Sequence, residues 1–319
     1  MRIFKDIFRI ERKPRKGLLA IEWVIMAYLV FTLLMTLFTI TKLYNPEEML
    51  WGRFRIVVMT LALWLVYRLL PCRFTIFCRV VAQMAMLSWW YPDTYELNRI
   101  FPSLDHIFAA YDQQLFGFQP ALLFSQTFTH PIFSELMNFG YTSYFPMIAL
   151  VTLFYFLWRY KEFERATFII LASFFIYYVI FIFLPVAGPQ FYYPAVGVAK
   201  IAQGIFPDLG NYFATHQEMV TLPGWSDGFF YHMVENAHAA GERPTAAFPS
   251  SHVGISTILM FLVWKARNHW LFWGLLPVYV LLCLSTVYIQ AHYAIDVIGG
   301  WISAIAIYAI LHFFARKFV

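Results

Sequence analysis

Two short stretches carry the residue types that phosphate chemistry uses. The first runs Arg243-Pro244-Thr245-Ala246-Ala247-Phe248-Pro249-Ser250-Ser251-His252 and leads straight into an apolar segment. Pro249 and the two serines are helix-start residues, with a serine as the N-cap, so His252 falls in the first turn. The free N–H groups and the positive dipole end of a helix start attract anions. Arg243 adds a planar fork of donors matched to phosphate oxygens. The second stretch runs Ser285-Thr286-Val287-Tyr288-Ile289-Gln290-Ala291-His292-Tyr293-Ala294-Ile295-Asp296. His292 and Asp296 are four apart, a spacing that on a helix puts both on one face. A carboxylate there takes the imidazole N–H, fixes the tautomer and leaves the other nitrogen a better nucleophile.

These stretches must be held by membrane helices. Of 319 residues 61% are hydrophobic and 13% charged, where soluble chains run at about 45–50% and 25%. A mean hydropathy of +0.62 and 35 Phe, 20 Tyr and 11 Trp exclude a disordered chain and a disulfide-built scaffold. Cys72, Cys78 and Cys283 lie in or beside apolar segments and read as small hydrophobes. Eight segments approach the roughly 20 apolar residues that a bilayer crossing needs: 18–41, 54–71, 75–91, 140–158, 166–186, 252–267, 271–290 and 295–315. The run from Leu18 to Ile40 exceeds a signal-peptide core and has no small-residue cleavage site after it, so it is expected to stay as the first span.

The expected fold class is all-α: a polytopic helix bundle of about eight spans. Its divisions are a basic arm (1–16), N-terminal spans (17–91), an outer amphipathic segment (92–139) and a membrane core (140–319) whose outer loop is 187–251. Leu97, Ile100, Phe101, Leu104, Ile107 and Phe108 are spaced as one helix face, predicting a helix along the membrane surface. Lys and Arg set the sidedness. The arm, which reads as a topology signal and anionic-lipid contact rather than a nucleic-acid one, shares its side with Arg73, Arg159, Lys161, Arg165, Lys265, Arg267, Arg316 and Lys317. Loops 92–139 and 187–251 carry only Arg99, Lys200 and Arg243 among their bases. Both termini are therefore expected in the cytoplasm, with the two chemical stretches on the extracytoplasmic face. Trp89-Trp90-Tyr91, Phe191-Tyr192-Tyr193 and Phe229-Phe230-Tyr231 read there as an interfacial aromatic belt.

Each chemical signal has a plainer reading. The serine pair suffices as a cap, His252 as a satisfied interfacial histidine, His292 with Asp296 as a structural pair, and Arg243 as a contact to lipid head groups. What separates them from chance is their conjunction on one membrane face, at the ends of spans. Two histidines, a partnered carboxylate and a phosphate cradle are the parts of a two-step phosphoryl transfer. A zinc site from His232, His238 and His252 lacks compact ligand spacing.

Pro249-Ser250-Ser251-His252, and Ser285 with His292-Tyr293 and Asp296, resemble the second and third signatures of the type-2 phosphatidic acid phosphatase superfamily. Val287-Tyr288 followed by His292-Tyr293-Ala294-Ile295-Asp296 looks most like its inositol phosphorylceramide synthase and sphingomyelin synthase branches. Weaker similarity to the first of these lies in Asp112-Gln113-Gln114-Leu115-Phe116-Gly117 with Pro120, and in Tyr141-Thr142-Ser143-Tyr144-Phe145. The chain departs from the superfamily pattern at two cations: Asn236 stands where the first signature has its lysine, and Thr286 where the third has its arginine. The head-group transferase branches share the second departure. Lys200 or Arg99 are candidate substitutes.

The resemblance implies a six-helix phosphatase-type core and a metal-independent, cofactor-free enzyme. His292 would attack phosphorus to give a phosphohistidine, and Asp296 would orient it. His252 would protonate the departing lipid alcohol and then act as base for the incoming hydroxyl. Arg243, Ser250 and Ser251 would bind the phosphate. With a phospholipid donor and a lipid alcohol acceptor this is head-group transfer, with an inositol phosphate-like group the leading case. With water as acceptor it is a lipid phosphate phosphatase. A transporter that kept the bundle without the chemistry is the reading from another class. The need for a partner subunit is left open.

Overall fold

Proline and small polar residues set many of the helix starts. The computed structural model describes residues 2–319; of the basic arm, Met1 and the side chains of Arg2, Ile3 and Phe4 lie outside the described residues. Sixteen α-helices follow in order: α1 (Arg2–Ile7), α2 (Ala20–Thr39), α3 (Pro46–Leu69), α4 (Arg73–Ala85), α5 (Leu87–Asn98), α6 (Asp105–Phe116), α7 (Pro120–Thr127), α8 (Pro131–Thr142), α9 (Tyr144–Trp158), α10 (Tyr160–Phe183), α11 (Pro189–Val196), α12 (Val198–Ala202), α13 (Phe229–Gly241), α14 (Ser251–Lys265), α15 (His269–Tyr288) and α16 (Ala294–Phe318). Prolines open α3, α7, α8 and α11, where a missing N–H costs nothing. Ser250 and Asn268 cap α14 and α15 through their side chains. No strand occurs among the described residues.

Helix α10 is the axis of the bundle, packing against α2, α5, α9, α14 and α16. Helices α14, α15 and α16 pack on one another, and α8 lies against α15. That last contact needs Gly140, since a Cβ there would stand 2.7 Å from the Leu281 carbonyl oxygen. The outward faces remain apolar: Phe38, Trp51, Leu69, Trp273, Ile302 and Phe313 are all at least half exposed. A contiguous exposed apolar belt on long helices marks a helical integral membrane protein.

The span pattern differs from the sequence expectation. Among the described residues five helices are long and apolar enough to cross alone: α2 with its following turn, α3, α10, α15 and α16. The pair α8–α9, bent by 47°, is apolar enough only when its two helices are taken together, as a broken span or a re-entrant loop. The expected span 75–91 is divided at Met86 into α4 and α5, and α14 has only 15 residues. Segment 92–139 is likewise not one amphipathic helix. Pro102, the left-handed Gly117 (φ 79°), Pro120 and Pro131 cut it into the end of α5, α6, α7 and the start of α8. Phe191, Tyr192 and Tyr193 do not form an interfacial belt; they are fully buried in a core cluster with Phe108, Val253 and Tyr293.

Charges inside the bundle are paired. Arg53 of α3 makes a two-pronged contact with Asp93 of α5 at 2.8 Å for each prong. Arg79 of α4 pairs with Glu22 of α2, both completely buried. A buried ion survives in a low-dielectric interior only when paired in this way. One end of the bundle gathers the basic loops: Arg15 pairs with Glu164, Arg73 lies over Tyr160, Arg159 donates to the Ala266 carbonyl and Arg165 to that of Ala315.

Candidate active site

The end opposite the basic loops brings His252 and His292 together. Ser250 starts α14: its buried hydroxyl accepts from Val253 N–H at 3.4 Å, and its own N–H donates to the Asp296 carbonyl at 3.0 Å. The second bond ties the start of α14 to the first turn of α16. His252, in the first turn, has its ring between Tyr141 and Tyr144, with centroids 4.8 and 4.3 Å away. Its Nδ1 is buried and has no protein partner.

His292 lies in the turn between α15 and α16, just before the Tyr293 N-cap. Its ring centroid is 5.7 Å from that of His252, edge to face. The backbone N–H of His292 donates to Thr286 at 3.0 Å. Its Nδ1 is 2.8 Å from the Ala247 carbonyl oxygen. A carbonyl only accepts, so Nδ1 carries the hydrogen and the lone pair sits on Nε2. Burial pushes the His292 imidazole down to about 4, partly offset by that carbonyl contact. Above that pH it is neutral, the state a nucleophile needs.

The expected helical pairing of His292 with Asp296 takes another form. Because α16 begins at Ala294, His292 is off the helix, and Asp296 sits at its N3 position. Its Oδ2 accepts the Tyr293 N–H at 2.8 Å and stands 3.5 Å from His292 Nδ1. The carboxylate therefore caps the helix and flanks the imidazole, while the Ala247 carbonyl is the closer partner. Two further buried acids brace the same turn. Asp112 accepts from Ala294 and Ile295 N–H at 2.9 and 2.8 Å, and burial raises it to about 6. Asp105 accepts from Ala187 and Gly188 N–H at 2.8 Å and from the Tyr293 hydroxyl at 3.1 Å; burial raises it also. Gly188, at φ 94°, allows the contact: a Cβ would stand 2.6 Å from the Ala291 carbonyl oxygen.

Both histidines line a cavity of about 400 Å³. Its walls are largely aromatic, from Tyr91, Tyr141, Tyr144, Phe174 and Tyr178, and Ser251 contributes at the helix start. Arg243 is not among its lining residues; its guanidinium donates to the Glu242 carbonyl at 2.8 Å. Neither expected substitute cation lines it. Arg99 pairs with Glu96 at 3.2 Å and lies over Tyr44, and Lys200 is exposed on α12. Asn236 is exposed on α13, and the buried Thr286 hydroxyl donates to Cys283 carbonyl at 2.9 Å. Of the histidines weighed for zinc, His232 is exposed and pairs with Glu235, while His238 lines the cavity with His252.

His238, Glu242, Gln190 and Thr245 line the cavity; from sequence His238 was weighed only as a zinc ligand, Thr245 was only part of the first stretch, and Glu242 and Gln190 were not singled out. Glu242 accepts from the Tyr91 hydroxyl at 2.9 Å and from Gln190 Nε2 at 3.2 Å. The available signal was the four-residue step from His238 to Glu242, immediately before Arg243.

A family model described as the PAP2 superfamily matches residues 106–310, which includes every residue of the paired histidine stretches. No curated protein and no solved structure matches the chain. Since that model covers well over half of the sequence, and both its histidine stretches meet at one cavity, the chain belongs to the PAP2 superfamily.

Proposed function

We propose that the protein is a membrane-embedded lipid phosphotransferase. It moves a phospho-head group, inositol phosphate-like in the leading case, from a glycerophospholipid to a ceramide-like or other lipid alcohol through a phosphohistidine. Superfamily membership supports phosphatase or phosphotransferase chemistry on lipids. The observation that carries the reading is the approach of the two imidazoles, 5.7 Å apart, over one cavity. That spacing lets a single phosphorus sit within reach of both, about 3–3.5 Å from the attacking nitrogen.

In the first step the Nε2 lone pair of His292 forms the N–P bond. The P–O bond to the departing lipid alcohol breaks, and His252 gives its proton to that oxygen. In the second step the acceptor hydroxyl gives its proton back to His252, its oxygen attacks phosphorus, and the N–P bond breaks. The N–H groups at the start of α14 with Ser251 face the phosphoryl oxygens, and Ser250 holds that helix start in place. Asp296 and the Ala247 carbonyl hold the His292 ring through both steps. Arg243 does not line the cavity, although its chain neighbours Glu242 and Thr245 do. Positive-inside bias puts the basic end and both termini in the cytoplasm, and the histidines on the extracytoplasmic face.

Transfer is favoured over hydrolysis by the apolar, aromatic wall of the cavity and by the lack of a lining Lys or Arg. Purified protein in vesicles containing phosphatidylinositol and a fluorescent ceramide tests this. Head-group transfer to ceramide is the expected result. Release of inorganic phosphate from phosphatidic acid, with no transfer, would establish the phosphatase instead; neither reaction would leave only a non-enzymatic role, and full activity of His292→Ala would exclude its imidazole as the nucleophile.

A further inference from the structure

Four polar atoms of the cavity wall are buried without a protein partner: His252 Nδ1, His238 Nε2, Thr245 Oγ1 and Gln190 Oε1. They surround a space that must receive an anion, yet no Lys or Arg lines it and Glu242 adds a carboxylate. The two central histidines cannot supply the missing charge. In the phosphotransfer reading His292 must be neutral to attack, and the proton on His252 is consumed by the leaving group. His238 is the remaining cationic candidate on the wall. It reaches the cavity from the outer segment on α13, which packs on α8, and its ring stands edge-on to Tyr141 at 6.0 Å. Tyr141 is the same ring that stacks on His252.

We propose that His238 binds the transferred phosphate as an imidazolium, taking up a proton as the anion enters, in place of the phosphate-clamping cations the chain lacks. The proposal rests on the phosphotransfer reading above. The Thr245 hydroxyl donates to the same oxygens from the loop before α14. In the free cavity burial lowers the basicity of His238, with Glu242 opposing. The titratable groups that share the cavity wall with His238 are Glu242 at the end of its own helix, Tyr141 and Tyr144 from α8 and α9, Tyr91 from α5, Tyr178 from α10, His252 from α14 and His292 from the turn after α15. Glu235, one turn earlier on α13, pairs outward with His232. An entering phosphodiester therefore changes the local charge sharply, and a proton is the only compensating cation these groups can supply. Anion affinity then falls with rising pH, by about tenfold per unit while binding takes up the proton, and levels off once His238 no longer holds its proton in the complex.

The test is calorimetric binding of dihexanoylphosphatidylglycerol to the full chain in detergent, in buffers of differing ionisation enthalpy. This phosphodiester has no titrating group near neutrality. The wild type is expected to take up close to one proton per lipid. His238→Gln should lose that uptake and bind at least tenfold more weakly. His238→Lys should bind with an affinity that no longer depends on pH between about 6 and 9, which a purely structural role would not produce. Undiminished proton uptake in His238→Gln, or pH-dependent binding by His238→Lys, would overturn the proposal. Failure of the phosphotransfer reading looks different: label would be missing from His292 while binding still responded to His238.

Discussion

The Nδ1 of His292 is 2.8 Å from the carbonyl oxygen of Ala247, nearer than the 3.5 Å that separates it from the Asp296 carboxylate. Ala247 is itself held, because its N–H donates to the Val186 carbonyl at 2.9 Å. The next two residues of that loop, Ala187 and Gly188, are bound by Asp105. The imidazole is thus oriented by a backbone relay through Val186 and Ala247, with the Asp296 carboxyl flanking it.

This relay sets how much Asp296 should matter. Where a carboxylate alone fixes a histidine tautomer, its amide replacement costs about 10⁴ in kcat. Here a carbonyl already dictates the tautomer, so Asp296→Asn should lose only about 10–100-fold in kcat. His292→Gln should lose several orders of magnitude. Steady-state transfer assays on both variants check this, and an equal loss would show that Asp296 is the orienting group.

Burial of His292 predicts where its acid limb falls. A neutral imidazole is required for attack, and burial pushes this one down to about 4. Phosphoenzyme formation should therefore rise through about pH 4 and be flat with respect to this group from pH 5 upward. An unperturbed histidine would place the rise near 6.5. Single-turnover labelling across pH 3.5–8 distinguishes the two, and a midpoint near 6.5 would mean the ring is solvated in the working enzyme.

The buried Glu22–Arg79 pair links α2 to α4, far from the cavity. Removing one charge leaves the other unpaired in a dry interior, at a cost of about 3–5 kcal/mol. Glu22→Gln should lower thermal stability in detergent markedly, while kcat per folded molecule is unchanged. Unchanged stability would mean that water reaches the pair.

The positions of the long helices were legible because hydropathy and charge bias report directly on the bilayer. The breaks were not. Pro92 lies inside α5, while the chain divides earlier, at Met86, where tertiary packing outweighs local propensity. Ser250 announced the start of α14 because capping is local chemistry, and His252 followed from it. The helical pairing of His292 with Asp296 misled in detail because α16 starts at Ala294, with Tyr293 as its N-cap, two residues too late to include His292. His238 was invisible as a cavity residue, since its approach depends on α13 folding over α8, a long-range contact with no sequence period.

The most direct test of the central claim is to quench the enzyme during turnover of donor lipid labelled with ³²P in its head group and map the label. The account predicts an acid-labile, alkali-stable phosphoramidate on His292 that accumulates when acceptor lipid is omitted and is absent from His292→Gln. Label on His252 instead, or a catalytically active enzyme that never carries label, would contradict it.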